Sequence, residues 1–259
     1  MREPNSPTWM PDILTQLPDL NGLALLVLAA VVSGVVRGFS GFGTAMIFLP
    51  VAALVVDPIW AILAMTGMDI LGPLPAVPRA ARDAKRRDLT LLLVSAGIML
   101  PIGVWLLASV SPEVFRYAVS LISFALVACL VFGLRYRGPL NTSLVSGAGG
   151  AAGFLGGIAG LPGPPVILLY MASEAGAARV RATTMLFLVG FDVLLLVTYL
   201  LTGKFEFLPF GLGLCLAIPN GLGVLLGQMI FDPSKEALYR NIAYLVVICA
   251  AIFGLPIWD

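Results

Sequence analysis

The run Arg37-Gly38-Phe39-Ser40-Gly41-Phe42-Gly43-Thr44 sets one guanidinium, two hydroxyls and three glycines inside a long apolar stretch. Glycine lets backbone amides approach a ligand that a Cβ would exclude. Amides at the start of a helix favour an anion. Arg37 adds a fixed positive charge, and Ser40 and Thr44 add hydroxyl donors, so the chemistry on offer is the binding of a small anion. Two plainer readings compete: glycines also let helices pack closely, and short hydroxyl side chains also bond back to helix carbonyls.

A second copy sharpens the case. Gly38, Gly41 and Pro50 are answered at one constant offset by Gly153, Gly156 and Pro165. The second copy continues through Gly156-Gly157-Ile158-Ala159-Gly160, and the counterpart of Arg37 is Ala152. A site shared by both copies therefore holds a single guanidinium. Its substrate-binding candidates are Arg37, Gly38, Ser40, Gly41, Phe42, Gly43 and Thr44 from the first copy and Gly156, Gly157, Ile158, Ala159 and Gly160 from the second. Thr183 and Thr184, in Arg181-Ala182-Thr183-Thr184, are expected to face the second copy.

Asp69 and Asp192 fall inside apolar segments, where an ionisable group is costly and marks a functional hypothesis. Either is a proton-coupling candidate, and either can instead pair with an arginine. Their nearest basic neighbours in sequence, Arg79 and Arg181, stand about 15 Å or more away along a helix, so a partner must come from another segment. Asp57 and Glu174 read as segment-end residues.

The elements that position these groups follow from composition. Of 259 residues, 59% are apolar and 11% charged, with mean hydropathy +1.01. A soluble domain carries about 25% charge, so the chain is an integral membrane protein. A net charge of +1 excludes an extended phosphate-neutralising surface and with it a nucleic-acid partner. There is no histidine, and Cys129, Cys215 and Cys249 sit singly in apolar runs. No cofactor or metal site is expected, and no disulfide framework. The first twenty residues lack a basic start followed by an apolar core. They read as an extramembrane lead with Trp9 as an interfacial anchor.

Residues 21–138 and 139–259 are read as two halves. In the first, Asn21 to Val36 and Thr44 to Val56 are apolar pieces of about 24 and 20 Å, short of a hydrocarbon core of about 30 Å. They form either a hairpin that dips to mid-membrane or two tilted spans. Full spans are expected over Ile59 to Val77, Leu89 to Ala108 and Val114 to Leu134, with Pro112 at a first helical position. In the second half Asn141 to Leu155 and Leu161 to Ala172 flank the glycines. Spans follow over Val180 to Leu201, Phe207 to Ile230 and Ala237 to Leu255, the last capped by Asp232-Pro233-Ser234-Lys235. Pro219 and Gly221 answer Pro101 and Gly103. The fold class is an all-α inverted repeat of two five-segment halves, each a glycine-interrupted helical hairpin plus three spanning helices. An odd number of segments turns the second half upside down. With Arg79 to Arg87 cytoplasmic, Arg135, Arg137, Arg179, Arg181, Lys235 and Arg240 also fall inside, leaving Arg2, Arg116 and Lys204 outside, as the positive-inside rule describes. Both termini are then periplasmic.

Inverted repeats with broken segments at the midplane are the plan of secondary transporters. The paired glycine stretches, each followed by an apolar run ending in proline, together with Arg181-Ala182-Thr183-Thr184, resemble the TauE/SafE family of sulfite-exporter-type permeases over about residues 22 to 256. Neither stretch is the unbroken glycine run usual in that family. The resemblance implies sulfite or a small organosulfonate as cargo, moved across a bacterial inner membrane. The residues by themselves point only to a small anion, carried by alternating access with proton coupling as an option. An anion channel of the same architecture, a permease for another small carboxylate or inorganic anion, a membrane enzyme and a scaffold subunit are the other readings, the last two ranked lowest. The expected partners are the anion and the lipid bilayer, with a homodimer open.

Overall fold

The computed structural model describes residues 17–133, 140–170 and 177–257, and every regular element in them is helical. Arg2, Trp9, Arg135, Arg137 and Glu174 lie outside the described residues.

The first helix, α1 (Leu20–Ser40), starts at Asp19, whose carboxylate accepts from the Gly22 amide at 2.9 Å. Its 21 residues rise about 31 Å, enough to cross a bilayer. The expected break at Gly38 does not occur. Gly38 stays helical because its Cβ-less face lies against the backbone of Val224 and Gly227, 2.9 Å from the Gly227 Cα by the position a Cβ would take. The break falls later, at Gly41-Phe42-Gly43, where Gly41 and Gly43 hold left-handed φ of 79° and 105°. There α1 ends, and α2 (Thr44–Ala52) turns back for nine residues, about 14 Å.

Next come α3 (Pro58–Ile70), a 3₁₀ turn (Leu74–Ala76) and α4 (Val77–Asp83). The span expected over Ile59 to Val77 is thus cut to 13 residues. Pro73, Pro75 and Pro78 are the cause, since each lacks an N–H and biases the residue before it away from the helix. α5 (Arg86–Leu107) and α6 (Pro112–Val131) complete the first half, with Pro112 at the predicted first-turn position.

In the second half α7 (Thr142–Ala159) is capped by Asn141, which accepts from the Leu144 amide at 2.8 Å. It ends at Gly160, left-handed at φ 67°, and α8 (Gly163–Tyr170) follows. Then come α9 (Ala177–Leu201), α10 (Phe207–Ile230) and α11 (Glu236–Gly254). Asp232 does not cap α11 as expected. Its carboxylate closes its own turn, accepting from the Ser234 amide and hydroxyl at 2.9 and 2.7 Å, and Lys235 takes the cap position.

Among the described residues, seven helices are long and apolar enough to cross a membrane: α1, α5, α6, α7, α9, α10 and α11. Each glycine hairpin therefore pairs one full-length helix with one short one, rather than two dipping pieces or two full crossings. Outward-facing Ile98, Trp105, Ile218 and Phe253 are exposed. Such apolar surface needs hydrocarbon around it, and the chain is a multi-pass membrane protein.

Two glycine seams hold the bundle. α1 lies on α10 and α7 on α5, with Gly34 and Gly38 against Asn220 and Val224, and Gly149, Gly153 and Gly157 against Leu92, Ala96 and Leu100. Positions rise together in each seam, so both pairs run parallel. The other faces of α10 and α5 receive α3 and α9 respectively, and α11 packs on α6 and α2. One end of the bundle gathers the starts of α5, α7 and α9: Arg87 donates to the Thr142 hydroxyl at 2.9 Å, and the Lys85 amide to the Thr183 hydroxyl at 3.1 Å. The opposite end is tied by Trp60, donating to Glu206 at 2.7 Å, and by Arg116, donating to the Gly254 and Leu255 carbonyls at 3.0 and 3.2 Å.

Candidate functional site

Arg37 occupies the last turn of α1, about 25 Å from its start, where a cation suits the carbonyl end of the helix. Its guanidinium Nη1 donates to the Asp69 carboxylate at the end of α3, and the Thr44 hydroxyl at the start of α2 lies 3.5 Å from the same nitrogen. Side-chain exposures of 29% and 18% leave the pair open on one side. Asp192, half-buried near the middle of α9, is close enough to act electrostatically on Arg37 and to feel Asp69. Arg37, Thr44 and Asp69, all singled out in the sequence, thus meet from three helices, with Asp192 of a fourth within electrostatic range. Asp69 finds its partner in another segment, as its distance from Arg79 requires.

The start of α2 adds backbone donors. Its first intrahelical bond runs from Ile47 to the Gly43 carbonyl at 3.1 Å, and Gly43 supplies no side-chain cap. The amides of Thr44, Ala45 and Met46 therefore lack a helical acceptor, and the first of them belongs to the residue whose hydroxyl meets Arg37. Gly41 has nothing within 4 Å of the place a Cβ would take. Ser40 is used differently. Its oxygen lies 2.6 and 2.8 Å from the Val36 and Phe42 carbonyls and accepts from the Phe42 amide at 3.3 Å, which closes the end of α1. Phe42 turns toward α11, its ring 6.3 Å from that of Tyr244.

The second glycine stretch is filled. A Cβ on Gly156 would enter the Phe191 ring, one on Gly157 would sit 2.7 Å from the Leu100 carbonyl, and one on Gly160 2.8 Å from a Leu49 methyl and 3.1 Å from Ile62. Ala159 is fully buried and Ile158 partly so. The short helix that follows begins Gly163-Pro164-Pro165, and two prolines remove two of the amides its counterpart exposes. Close packing thus describes this copy. The left-handed caps also match Gly41 with Gly160 rather than Gly156, one helical turn beyond the sequence offset, which places Gly156 and the Phe191 ring where the first half has Arg37.

Thr183 is fully buried and binds the Arg179 carbonyl at 2.9 Å as well as the Lys85 amide, so it fastens α9 to the start of α5. Thr184 beside it is half-buried. Three polar ties were not anticipated from the sequence. Asn220 donates to the Ala30 carbonyl and the Ser33 hydroxyl at 2.9 and 3.2 Å, locking α10 to α1. Asp88, only 3% exposed, accepts from the Tyr170 hydroxyl at 3.0 Å and pairs with Lys85 at 3.2 Å. The third is Trp60 with Glu206. An amide side chain within an apolar run was the readable signal for Asn220, whereas Asp88 is hidden among the basic residues around it.

No curated protein and no solved structure matches the chain. A family model does, over residues 26–254. It spans nearly every helix described above, including both glycine hairpins and the Arg37 cluster, and its description is sulfite exporter TauE/SafE, so the chain belongs to the TauE/SafE family of membrane transporters.

Proposed function

We propose that the chain is a secondary transporter that carries a small sulfur-containing anion, sulfite or an organosulfonate, across the bacterial inner membrane by alternating access. The observation that carries this reading is the convergence of Arg37, Thr44 and the uncapped start of α2 at the break that ends α1. A sulfonate head presents acceptor oxygens on a single charge, which one guanidinium, a hydroxyl and a few free amides match. The second glycine stretch, filled by side chains, serves here as a packed joint. This narrows the binding candidates to the first copy.

The inverted repeat is supported by an exchange of partners. The first segment of each half packs on the fourth segment of the other, α1 on α10 and α7 on α5, which an inverted pair of halves would produce. The boundary between halves falls near residues 138 and 139. Arg79, Arg82, Arg86, Arg87, Arg179 and Arg181 flank the end where α5 and α9 begin, and we take that end as cytoplasmic, with both termini periplasmic.

The test is thermal stability of the purified protein in detergent against sulfite, sulfate, thiosulfate, sulfoacetate, taurine and chloride. A ligand at one hundred times its dissociation constant stabilises by about 2.7 kcal/mol. Selective stabilisation by one sulfur anion, lost in Arg37→Ala, is the expected outcome. Stabilisation that survives in Arg37→Ala removes this arginine from the site. Ionic conductance at rates far above a carrier's turnover would replace the carrier with a channel.

A further inference from the structure

The Arg37 cluster contains its own competitor for the anion. Asp69 already occupies the guanidinium, and Asp192 adds a second carboxylate within electrostatic range. Two carboxylates and one guanidinium sum to a single negative charge when all are ionised. Little else nearby offsets it. The residues of α2 include no ionisable side chain, and those of α10 only the exposed thiol of Cys215. α11 carries Glu236, Tyr239, Arg240, Tyr244 and Cys249, with Tyr239 against Phe39 and Tyr244 against Phe42. α4 and the start of α5 bring Arg79, Arg82, Asp83, Arg86, Arg87 and Asp88, and α9 brings Arg179 and Arg181, all at helix ends rather than beside Asp192. An anion reaching Arg37 must displace a carboxylate, and with both carboxylates ionised the site it enters is already negative.

We propose, resting on the transport reading above, that Asp69 is the counter-ion the substrate replaces, and that a monovalent anion and one proton bind and cross together. For the empty carrier to be neutral with Arg37 paired to the Asp69 carboxylate, Asp192 must hold a proton throughout the cycle. On loading, a proton from the aqueous phase bonds to the Asp69 carboxylate, which releases Arg37. The guanidinium keeps its own protons and trades one oxyanion for another. The loaded cluster is again neutral, and on the far side the anion leaves, Asp69 returns its proton to water and the pair re-forms. Both forms cross the hydrocarbon without net charge, which is the condition a low-dielectric path favours. A dianion would leave an uncompensated charge in the loaded form, so the site selects by valence among sulfur oxyanions. The direction of net flux follows the sum of the anion and proton gradients.

The experiment reconstitutes the full chain into liposomes and follows methanesulfonate, a monoanion, and sulfate, a dianion, together with internal pH and with the membrane potential clamped by potassium and valinomycin. Wild type is expected to move one proton with each methanesulfonate, in the same direction, at a rate unaffected by the potential. Sulfate should move at least about tenfold more slowly. In Asp69→Asn any remaining methanesulfonate flux should lose its proton and become sensitive to the potential, and Asp69→Glu should restore proton movement. Wild-type flux that depends on the potential and carries no proton overturns the proposal while leaving the transporter intact. Wild-type liposomes that move no sulfur anion at all, sulfite included, overturn the transport reading itself and this proposal with it.

Discussion

Gly41 and Gly160 end long helices in the same left-handed conformation, each three residues before a short helix, yet their surroundings are opposite. Beside Gly41 there is open space, a charged pair and the free amides of α2. Beside Gly160 stand Leu49 and Ile62, and one turn back Phe191 fills the hollow at Gly156. The contrast shows that a glycine stretch does not by itself make a ligand site. The removal of a Cβ creates room, and the neighbouring helices decide whether that room is kept or used for packing. In the first half Gly41 stands exposed at the end of α1 and no neighbouring side chain reaches it. In the second half the apolar faces of α2, α3 and α9 close it.

The sharpest way to break this comparison is to insert side chains on both sides of it. Gly160→Val adds a branched side chain at a left-handed φ and drives it into Leu49 and Ile62, two penalties at once. The expected loss is about 3 kcal/mol or more, read as a large fall in detergent Tm or failure to recover folded protein. A Gly160→Val protein as stable as wild type would mean that the second hollow is not packed.

Next in size is the ion pair of the first half. Arg37→Ala and Asp69→Ala each leave a charge inside the membrane without its partner, and each should cost about 2 kcal/mol, given the partial exposure of both side chains. The double variant should cost less than the two single losses combined. Purely additive losses in Tm or in resistance to denaturant would show that the two charges are not coupled.

Much of this arrangement was legible in the sequence and some was not, for identifiable reasons. Apolar run length located α5, α6, α9, α10 and α11, because the bilayer sets a length that composition cannot hide, whereas α1 and α7 read as short pieces because their helices run on into the glycine stretches. The third segment was misjudged since Pro73, Pro75 and Pro78 lay at the end of an otherwise apolar run, where hydropathy outweighed the missing amides. Arg37, Thr44, Asp69 and Asp192 stood out as polar groups in apolar surroundings. That Asp69 would meet Arg37 depends on how α3 sits against α1, which no local pattern encodes. The two glycine stretches looked alike because the sequence records the absence of a Cβ. Phe191 and Leu49, which decide between a hollow and a joint, lie far along the chain.

The seams offer a smaller contrast. α1 and α10 share glycine contacts and also the buried Asn220, whereas for α5 and α7 no described inter-helix hydrogen bond joins the seam away from its end. Asn220→Ala should therefore cost about 1 to 2 kcal/mol through the loss of its bonds to Ala30 and Ser33. Ser33→Ala should cost less, because the Ala30 carbonyl still accepts from Asn220. Equal melting temperatures for wild type and Asn220→Ala would assign the cohesion of this seam to glycine packing alone.

The smallest effect returns to the open side. At Gly41 an added methyl meets no atom within 4 Å, so a substitution is penalised only through the backbone, where φ is 79°. Alanine in that region costs about 1 kcal/mol, and asparagine, whose short polar side chain tolerates it, should cost less. The same pair of substitutions at Gly160 should lose more in both cases, since the clash with Leu49 is added to the same strain. Measured as Tm shifts under one set of conditions, the difference between the two alanine variants isolates the packing at the second hollow. If Gly41→Ala proved as damaging as Gly160→Ala, the space beside Gly41 would be filled in the folded protein, and the first glycine stretch would be a joint like the second.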